Sequence, residues 1–126
     1  MNKSLLIAAR AALLGCAIIT AVYAFAPPRS GMHLFPWDKA DHYASFFAIM
    51  AAAIVALPRL RLGWIALLVS AAGGGVELIQ GLPSVGRDCD VWDWMTENAA
   101  IASVIGLVIA AELRRRLASG GERVGA

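Results

Sequence analysis

The stretch Leu62–Gln80, LGWIALLVSAAGGGVELIQ, is apolar for most of its length and then ends in an acid and an amide, Glu77 and Gln80. An uninterrupted apolar run suits a helix whose faces are all covered by lipid or protein. A membrane strand would instead alternate apolar and polar residues over about ten positions. The length is close to the ~20 residues that a helix needs to cross the hydrocarbon core of a bilayer. The stretch therefore predicts a transmembrane helix with polar groups near one end.

Three further apolar segments accompany this one, at about residues 5–25, 42–57 and 94–111, and each is bounded by charge, proline or glycine. Of the 126 residues, 60% are apolar and 16% charged, against roughly 45–50% and about 25% in soluble domains. We therefore predict an all-α membrane protein with four transmembrane helices, a single domain over residues 1–126 and a short disordered tail after about residue 118.

The same numbers exclude several classes of protein. The composition argues against a soluble enzyme with a large core and against a disordered chain, and two cysteines are too few for a disulfide scaffold. The net charge of +2 is small and dispersed, so we expect no nucleic-acid partner. The first segment also resembles a secretory signal peptide, but its apolar run exceeds the about 7–15 residues typical of one. We therefore predict that it is a retained helix.

The basic residues are distributed unevenly between the two sides of the predicted bundle. Eight precede or open the first segment, lie between the second and third, or follow the fourth: Lys3, Arg10, Arg59, Arg61, Arg114, Arg115, Arg116 and Arg123. Three lie on the other side: Arg29, Lys39 and Arg87. The positive-inside rule predicts an inner-membrane protein with both termini cytoplasmic and the loops at about 26–41 and 81–93 outside.

Glu77 is the most unusual residue of these segments. It shares a helix face with Gln80 and should lie about one turn inside the hydrocarbon boundary. An ionisable group at that depth is expensive and marks a functional site by default, with a partner nearby. Arg87 in the following loop is the candidate partner. A buried structural ion pair between Glu77 and Arg87 remains the alternative.

Two further polar patterns flank the Glu77-x-x-Gln80 pair: Asp38-Lys39-x-x-His42-Tyr43-x-x-Phe46 before it and Arg87-x-x-Asp90-x-x-Asp93 after it. Together the three patterns resemble the VanZ-like family of small membrane proteins over roughly residues 38–106. The resemblance implies several transmembrane helices and, through the family's namesake, a link to resistance against the glycopeptide teicoplanin, but it implies no particular reaction.

The chain departs from the family pattern near the start of the last segment. Glu97 stands where the family commonly has Asn or Asp, and Asn98 follows it, so the sequence leaves either residue in that role. Ala100 stands where a glycine is often found. The run Gly73-Gly74-Gly75 predicts that a neighbouring helix packs closely just before Glu77.

These residues are expected to converge at the boundary of the outer leaflet of the membrane and to form a polar pocket there. We assign catalytic roles to Glu77, His42, Asp38 and Asp93. We assign substrate binding to Lys39, Gln80, Arg87, Asp90, Glu97 and Asn98. His42 has the chemistry of a base or of a metal ligand, and the sequence specifies neither a metal nor a cofactor. The aspartates at each helix start have an alternative role as helix caps.

Three functions are compatible with such a pocket. The first is an enzyme acting on a lipid-linked envelope component, for example by hydrolysis or transfer of a phosphate-linked group. The second is a protein that binds or translocates a lipid precursor or a lipophilic antibiotic without altering it. The third is an assembly factor whose polar residues only fix helix packing. The expected partners are membrane lipids, a lipid-linked precursor or glycopeptide, and a second copy in a homodimer.

Overall fold

The computed structural model of the chain describes residues 2–26, 35–85 and 89–121. Within these ranges the chain forms four helices and no strand. The helices are α1 (Lys3–Phe25), α2 (Asp38–Ala56), α3 (Leu62–Gln80) and α4 (Val91–Gly121). The predicted all-α fold with four helices is therefore confirmed.

Two helices extend well beyond the apolar segments that predicted them. α2 begins at Asp38 instead of about residue 42, and α4 covers Val91–Gly121 instead of about 94–111. The added turns are rich in charged residues, several of which form helices well but are strongly hydrophilic. An apolar run marks the part of a helix that a bilayer can cover, and so it underestimates the length of the whole helix.

The end of α4 is charged and still helical. Glu112 accepts hydrogen bonds from Arg115 and Arg116, one turn further along the helix. The tail predicted after about residue 118 is helical as far as α4 extends, and residues 122–126 lie outside the described ranges. All three of these side chains are exposed, and they lie at the opposite end of α4 from the acidic residues of its first turn.

Three helices of the described chain are long and apolar enough to cross a membrane: α1, α3 and most of α4. α2 falls short because its first turn contains Asp38, Lys39 and Asp41. α1 has no buried residue, and most of its large aliphatic side chains are exposed, as expected for a helix that faces lipid. The chain thus has the features of a membrane protein, and the fourth span remains a prediction.

The helices alternate in direction along the bundle. Gln80, the last residue of α3, donates from Nε2 to the carbonyl oxygen of Ala24 near the end of α1, at 2.8 Å. At the other end of the bundle, Arg10 Nε donates to the carbonyl oxygen of Ala56 at 3.4 Å. α2 contacts each of the other three helices. The ends of α1 and α3 therefore meet the starts of α2 and α4.

The bundle has an apolar core between α2, α3 and α4. We call this set the apolar core: Phe46, Met50, Ala53, Ile65, Val69, Ala100, Ile101 and Val104. Met50 and Ala100 are completely buried. In a bilayer, where lipid is as apolar as the side chains, helices associate through close packing of such contacts. The apolar core is therefore the main determinant of how these three helices dock.

Gly73 allows α3 and α4 to approach closely. A Cβ atom on Gly73 would overlap the carboxylate of Glu97 and would lie 3.0 Å from Phe46 Cε1. A Cβ atom on Gly75 would have no neighbour within 4 Å. The close approach predicted for the glycine run is thus present, and it requires a glycine at position 73.

Candidate functional site

The first turn of α2 presents charged groups to the other helices. Asp38 and His42 are four residues apart and share a helix face. Trp37 is the N-cap residue, with extended backbone angles (φ −123°, ψ 117°) and no side-chain capping bond. The alternative role of Asp38 as the N-cap is therefore not found, because the helix begins at Asp38 itself, one residue earlier than an N-cap at Asp38 would place it.

The start of α4 brings two aspartates to the same place. Asp90 precedes the helix, and its Oδ1 accepts the Trp92 N–H at 2.8 Å, which satisfies a free amide of the first turn. The Trp92 N–H, and next the Lys39 ammonium, lower the pKa of Asp90. Asp93 lies within the first turn and is buried. The predicted capping role of Asp90 is therefore present in addition to its contact with Lys39.

Lys39 joins these two aspartates. Its Nζ lies 2.6 Å from Asp93 Oδ1 and 3.0 Å from Asp90 Oδ2. The hydrogen bond to Asp93, followed by the one to Asp90, raises the pKa of Lys39, which precedes the apolar part of α2. The ammonium is therefore charged and is already paired with two carboxylates. Their negative charges weaken its attraction for an anionic ligand, which the sequence alone did not indicate.

His42 has carboxylates on both sides of its ring. Nδ1 lies 2.9 Å from Glu97 Oε1 and 3.9 Å from Glu77 Oε1. Nε2 lies 3.7 Å from Asp93 Oδ2 and 3.9 Å from Asp38 Oδ2. The side chain is 12% exposed. Each ring nitrogen thus faces two acids, which orient the ring and favour a bound proton or metal ion on it.

Glu77 is buried, with an exposed fraction of 3%. Its Oε2 accepts the backbone N–H of Asp90 at 3.1 Å. Among the described residues no hydrogen-bond donor reaches its Oε1. Arg87, the predicted partner, lies outside the described residues. The neighbours that the structure does give to Glu77 are the Asp90 amide and His42.

Glu97 and Asn98, which the sequence could not distinguish, point in different directions. Glu97 is fully buried, contacts His42 through Oε1, and has no donor at Oε2 within the described ranges. Asn98 accepts the Ser70 hydroxyl at Oδ1 and donates to the Trp94 carbonyl, each at 2.7 Å. Glu97 therefore belongs to the same cluster as His42, whereas Asn98 supports the contact between α3 and α4.

A cleft between all four helices reaches this cluster. Its described lining is Thr20, Tyr23, Ala24, Asp38, Asp41, His42, Ser45, Phe46, Val76, Gln80 and Glu97. It contains about 40 Å³ of water-accessible space, and one water needs only about 10–15 Å³. Gln80, predicted to bind substrate, thus lies at the cleft, although its Nε2 is bonded to Ala24.

Seven of the predicted site residues converge, and we call them the polar cluster: Asp38, Lys39, His42, Glu77, Asp90, Asp93 and Glu97. They comprise five carboxylates, one ammonium and one imidazole. Three of the carboxylates are buried, and Lys39 pairs with that of Asp93, so ionised Glu77 and Glu97 leave two buried negative charges beside a neutral His42. A buried excess of this size is unfavourable unless bound protons or a cation offset it.

The position of Gly73 against the Glu97 carboxylate was not predicted. Gly73 lies four residues before Glu77 and therefore on the same face of α3. That spacing is visible in the sequence and indicates that the glycine belongs to the face carrying the acid. The residue of α4 that lies opposite depends on how the two helices dock, which the sequence pattern does not reveal.

No family model, curated protein or solved structure matches this chain. The resemblance to the VanZ-like family therefore rests on motif spacing and remains a prediction. The three patterns behind it do contribute to one site: the first supplies Asp38 and His42, the second Glu77, and the third Asp90 and Asp93.

Proposed function

We propose that the chain is a multi-pass inner-membrane protein that binds a lipid-linked component of the cell envelope at the polar cluster and acts on it. The supporting observation is the cleft between the four helices, where His42 and the buried Glu97 lie at an opening. Ionisable residues in membrane helices are rare and usually face a binding or reaction site. An amphipathic ligand fits this arrangement, with its headgroup at the charges and its chain between helices.

The proposed orientation puts the polar cluster on the extracytoplasmic side, with both termini in the cytoplasm. Most of the described basic residues lie at the opposite end: Lys3, Arg10, Arg59, Arg61, Arg114, Arg115 and Arg116. Such a bias is typical of the cytoplasmic side. At the end with the polar cluster, Trp37 and Trp92 are 66% and 62% exposed, as aromatic residues at a membrane interface often are.

The chemistry that suits this site is hydrolysis or transfer of a phosphate-linked group. His42 serves as the base, because Asp93 and Asp38 on one side of the ring stabilise it when it gains a proton. Glu77 and Glu97 hold the other side of the ring in place. A link to glycopeptide resistance, as the VanZ-like resemblance implies, would follow if the substrate is a lipid-linked wall precursor.

Native mass spectrometry of the detergent-solubilised protein with a polyprenyl phosphate tests the binding step. We expect a saturable adduct with the wild type and about tenfold or weaker binding by Lys39→Met, equivalent to about 1.4 kcal/mol, because the ammonium of Lys39 is the cation of the polar cluster that attracts a phosphate. Arg61→Met is the matched control, because it removes a cation at the opposite end of the bundle. Equal binding of phosphatidylcholine, or unchanged binding by Lys39→Met, contradicts the proposal.

Incubation with a polyprenyl diphosphate distinguishes the three classes of function. Release of inorganic phosphate that depends on His42 indicates an enzyme. A saturable adduct without product indicates a binding or translocation protein. Loss of folded protein in every variant of the polar cluster, with no lipid adduct in the wild type, indicates an assembly factor.

A further inference from the structure

We propose that His42, Glu77 and Glu97 form a binding site for one divalent transition-metal ion of the Zn²⁺ or Mn²⁺ class. The three helices α2, α3 and α4 each contribute one ligand, an imidazole nitrogen or a carboxylate oxygen. The three ligand atoms all lie within 4.8 Å of one another. The inference rests on this geometry and does not require the proposed lipid.

Two buried oxygen atoms point to the ion. Glu77 is 3% exposed and Glu97 is completely buried. Within the part of the chain that the structure describes, Glu77 Oε1 and Glu97 Oε2 have no hydrogen-bond donor. A buried carboxylate oxygen without a partner is unfavourable by several kcal/mol unless it is protonated or coordinated. A cation held by Glu77 Oε1 and by the Glu97 carboxylate offsets the charge of both side chains.

The spacing of the ligands suits an ion with short bonds. Bonds from Zn²⁺ to histidine nitrogen and carboxylate oxygen are about 2.0–2.2 Å, so two ligands of one tetrahedral ion lie roughly 3–3.5 Å apart. His42 Nδ1 lies 2.9 Å from Glu97 Oε1 and 3.9 Å from Glu77 Oε1. These separations bracket the required value, so small side-chain rotations complete the site. A nitrogen ligand favours Zn²⁺ or Mn²⁺ over Ca²⁺ and Mg²⁺, which prefer oxygen alone.

Further contacts hold two of the ligands in place. Nε2 of His42 faces Asp93 and Asp38, which leaves Nδ1 on the side of the two glutamates. Glu77 Oε2 accepts the Asp90 amide, which leaves Oε1 for the ion. In proteins a metal-bound histidine almost always donates its other ring N–H to a carboxylate, a carbonyl or water. Asp93 Oδ2 at 3.7 Å and Asp38 Oδ2 at 3.9 Å are the carboxylates next to Nε2, and a small side-chain shift brings Asp93 into this role.

The charge and the exposure of the site agree with a bound cation. With the imidazole neutral, as metal binding requires, the buried Glu77 and Glu97 carboxylates have two negative charges, which a divalent ion neutralises. Three protein ligands leave one position open, as in catalytic zinc sites. Because His42 and Glu97 line the cleft, that position faces the cleft. There the ion binds water or, if the proposed function holds, a phosphate oxygen, and His42 then acts as a metal ligand and not as the base.

Calorimetric titration of the full chain with Zn²⁺ and with Mn²⁺ tests the site. The protein is purified without a polyhistidine tag and is stripped of metal by a chelator. We expect one saturable site per chain in the wild type. Glu77→Gln and Glu97→Gln should each weaken binding by about tenfold or more, because loss of a mere supporting partner already weakens metal sites 10–100-fold. Glu112→Gln should bind as the wild type does.

X-ray absorption spectroscopy of the Zn²⁺-loaded wild type keeps the test independent of how well the variants fold. We expect nitrogen and oxygen ligands with one imidazole. A sulfur ligand would indicate Cys16 or Cys89 and would overturn the inference, as would no saturable binding, or unchanged affinity in both glutamine variants. The metal titration contains no lipid, so its result is independent of the mass-spectrometric lipid test. A metal site in a protein that fails the lipid test would count against the proposed function alone. Lipid binding without metal binding would count against this inference alone.

Discussion

The helices α2, α3 and α4 bury two regions of opposite chemistry that adjoin each other. In α2, His42 of the polar cluster lies one turn before Phe46 of the apolar core, and in α4, Glu97 lies one turn before Ile101. The apolar core consists of side chains whose packing stabilises a membrane bundle. The polar cluster contains buried acids with unpaired oxygens instead. The apolar core is sufficient to explain how the helices dock. The buried acids of the polar cluster are therefore better explained by a function than by a contribution to stability.

Met50→Ala should cause the largest loss of stability, because Met50 is completely buried in the apolar core. Truncation of a buried Met leaves a cavity and typically lowers the free energy of unfolding by about 2–5 kcal/mol. Each kcal/mol corresponds to roughly 2–8 °C in the melting temperature, which can be measured in detergent. Val55→Ala, on an exposed face of α2, is the control and should change stability by about 0.5 kcal/mol or less. Equal losses would contradict the assignment of the core.

Gly73→Ala should have the next largest effect, because the added methyl group overlaps the Glu97 carboxylate where the two regions meet. Overpacking of this kind usually lowers the free energy of unfolding by about 1–3 kcal/mol. Gly75→Ala is the matched control: its Cβ meets nothing, so the better helix propensity should raise stability by about 0.5–1 kcal/mol. If both variants melt at the same temperature, α3 and α4 are not in the close contact described.

Lys39→Met should lower the melting temperature by less than Gly73→Ala, because it removes the ammonium that neutralises Asp90 and the buried Asp93. Lys39→Arg should restore most of the loss. Lys39 is only partly buried, so the difference between wild type and Lys39→Met should shrink as salt is added. Thermal melts at low and high salt provide the measurement. A Lys39→Met protein as stable as the wild type would mean that the ion pairs contribute nothing.

Glu77→Gln should have the smallest effect on stability and gives the sharpest contrast with the apolar core. The amide oxygen can still accept the Asp90 N–H, and one excess negative charge is removed. We expect a melting temperature equal to or above that of the metal-free wild type, as is common when a functional residue is replaced. A loss of several degrees would show instead that Glu77 stabilises the fold.

The sequence predicted the number and type of helices because each apolar segment is long enough to form a helix of several turns and is bounded by charge, proline or glycine. The bounds of α3 agree with the prediction because α3 is apolar almost to its ends. The bounds of α2 and α4 do not agree, because their charged turns are helical as well as hydrophilic. Hydropathy identifies the part of a helix suited to lipid, whereas hydrogen bonds and caps decide where the helix ends.

The site was partly predictable for a similar reason. His42, Glu77 and Asp93 all lie near segment ends that an alternating bundle brings together, so their convergence follows from topology. The choice between Glu97 and Asn98 does not follow from topology, because neighbouring residues on a helix point about 100° apart. The rotation of α4 decides which of the two meets His42, and that rotation depends on packing against Gly73 and the apolar core.

The first turn of α2 finds several of its partners only at the far end of the sequence. Lys39 pairs with residues 51 and 54 positions later, and His42 with one 55 positions later. Membrane helices insert first and associate afterwards. During synthesis on the ribosome, the polar cluster therefore stays incomplete until α4 has been translated. A nascent chain stopped before α4 lacks Asp93 and Glu97 and cannot assemble the site.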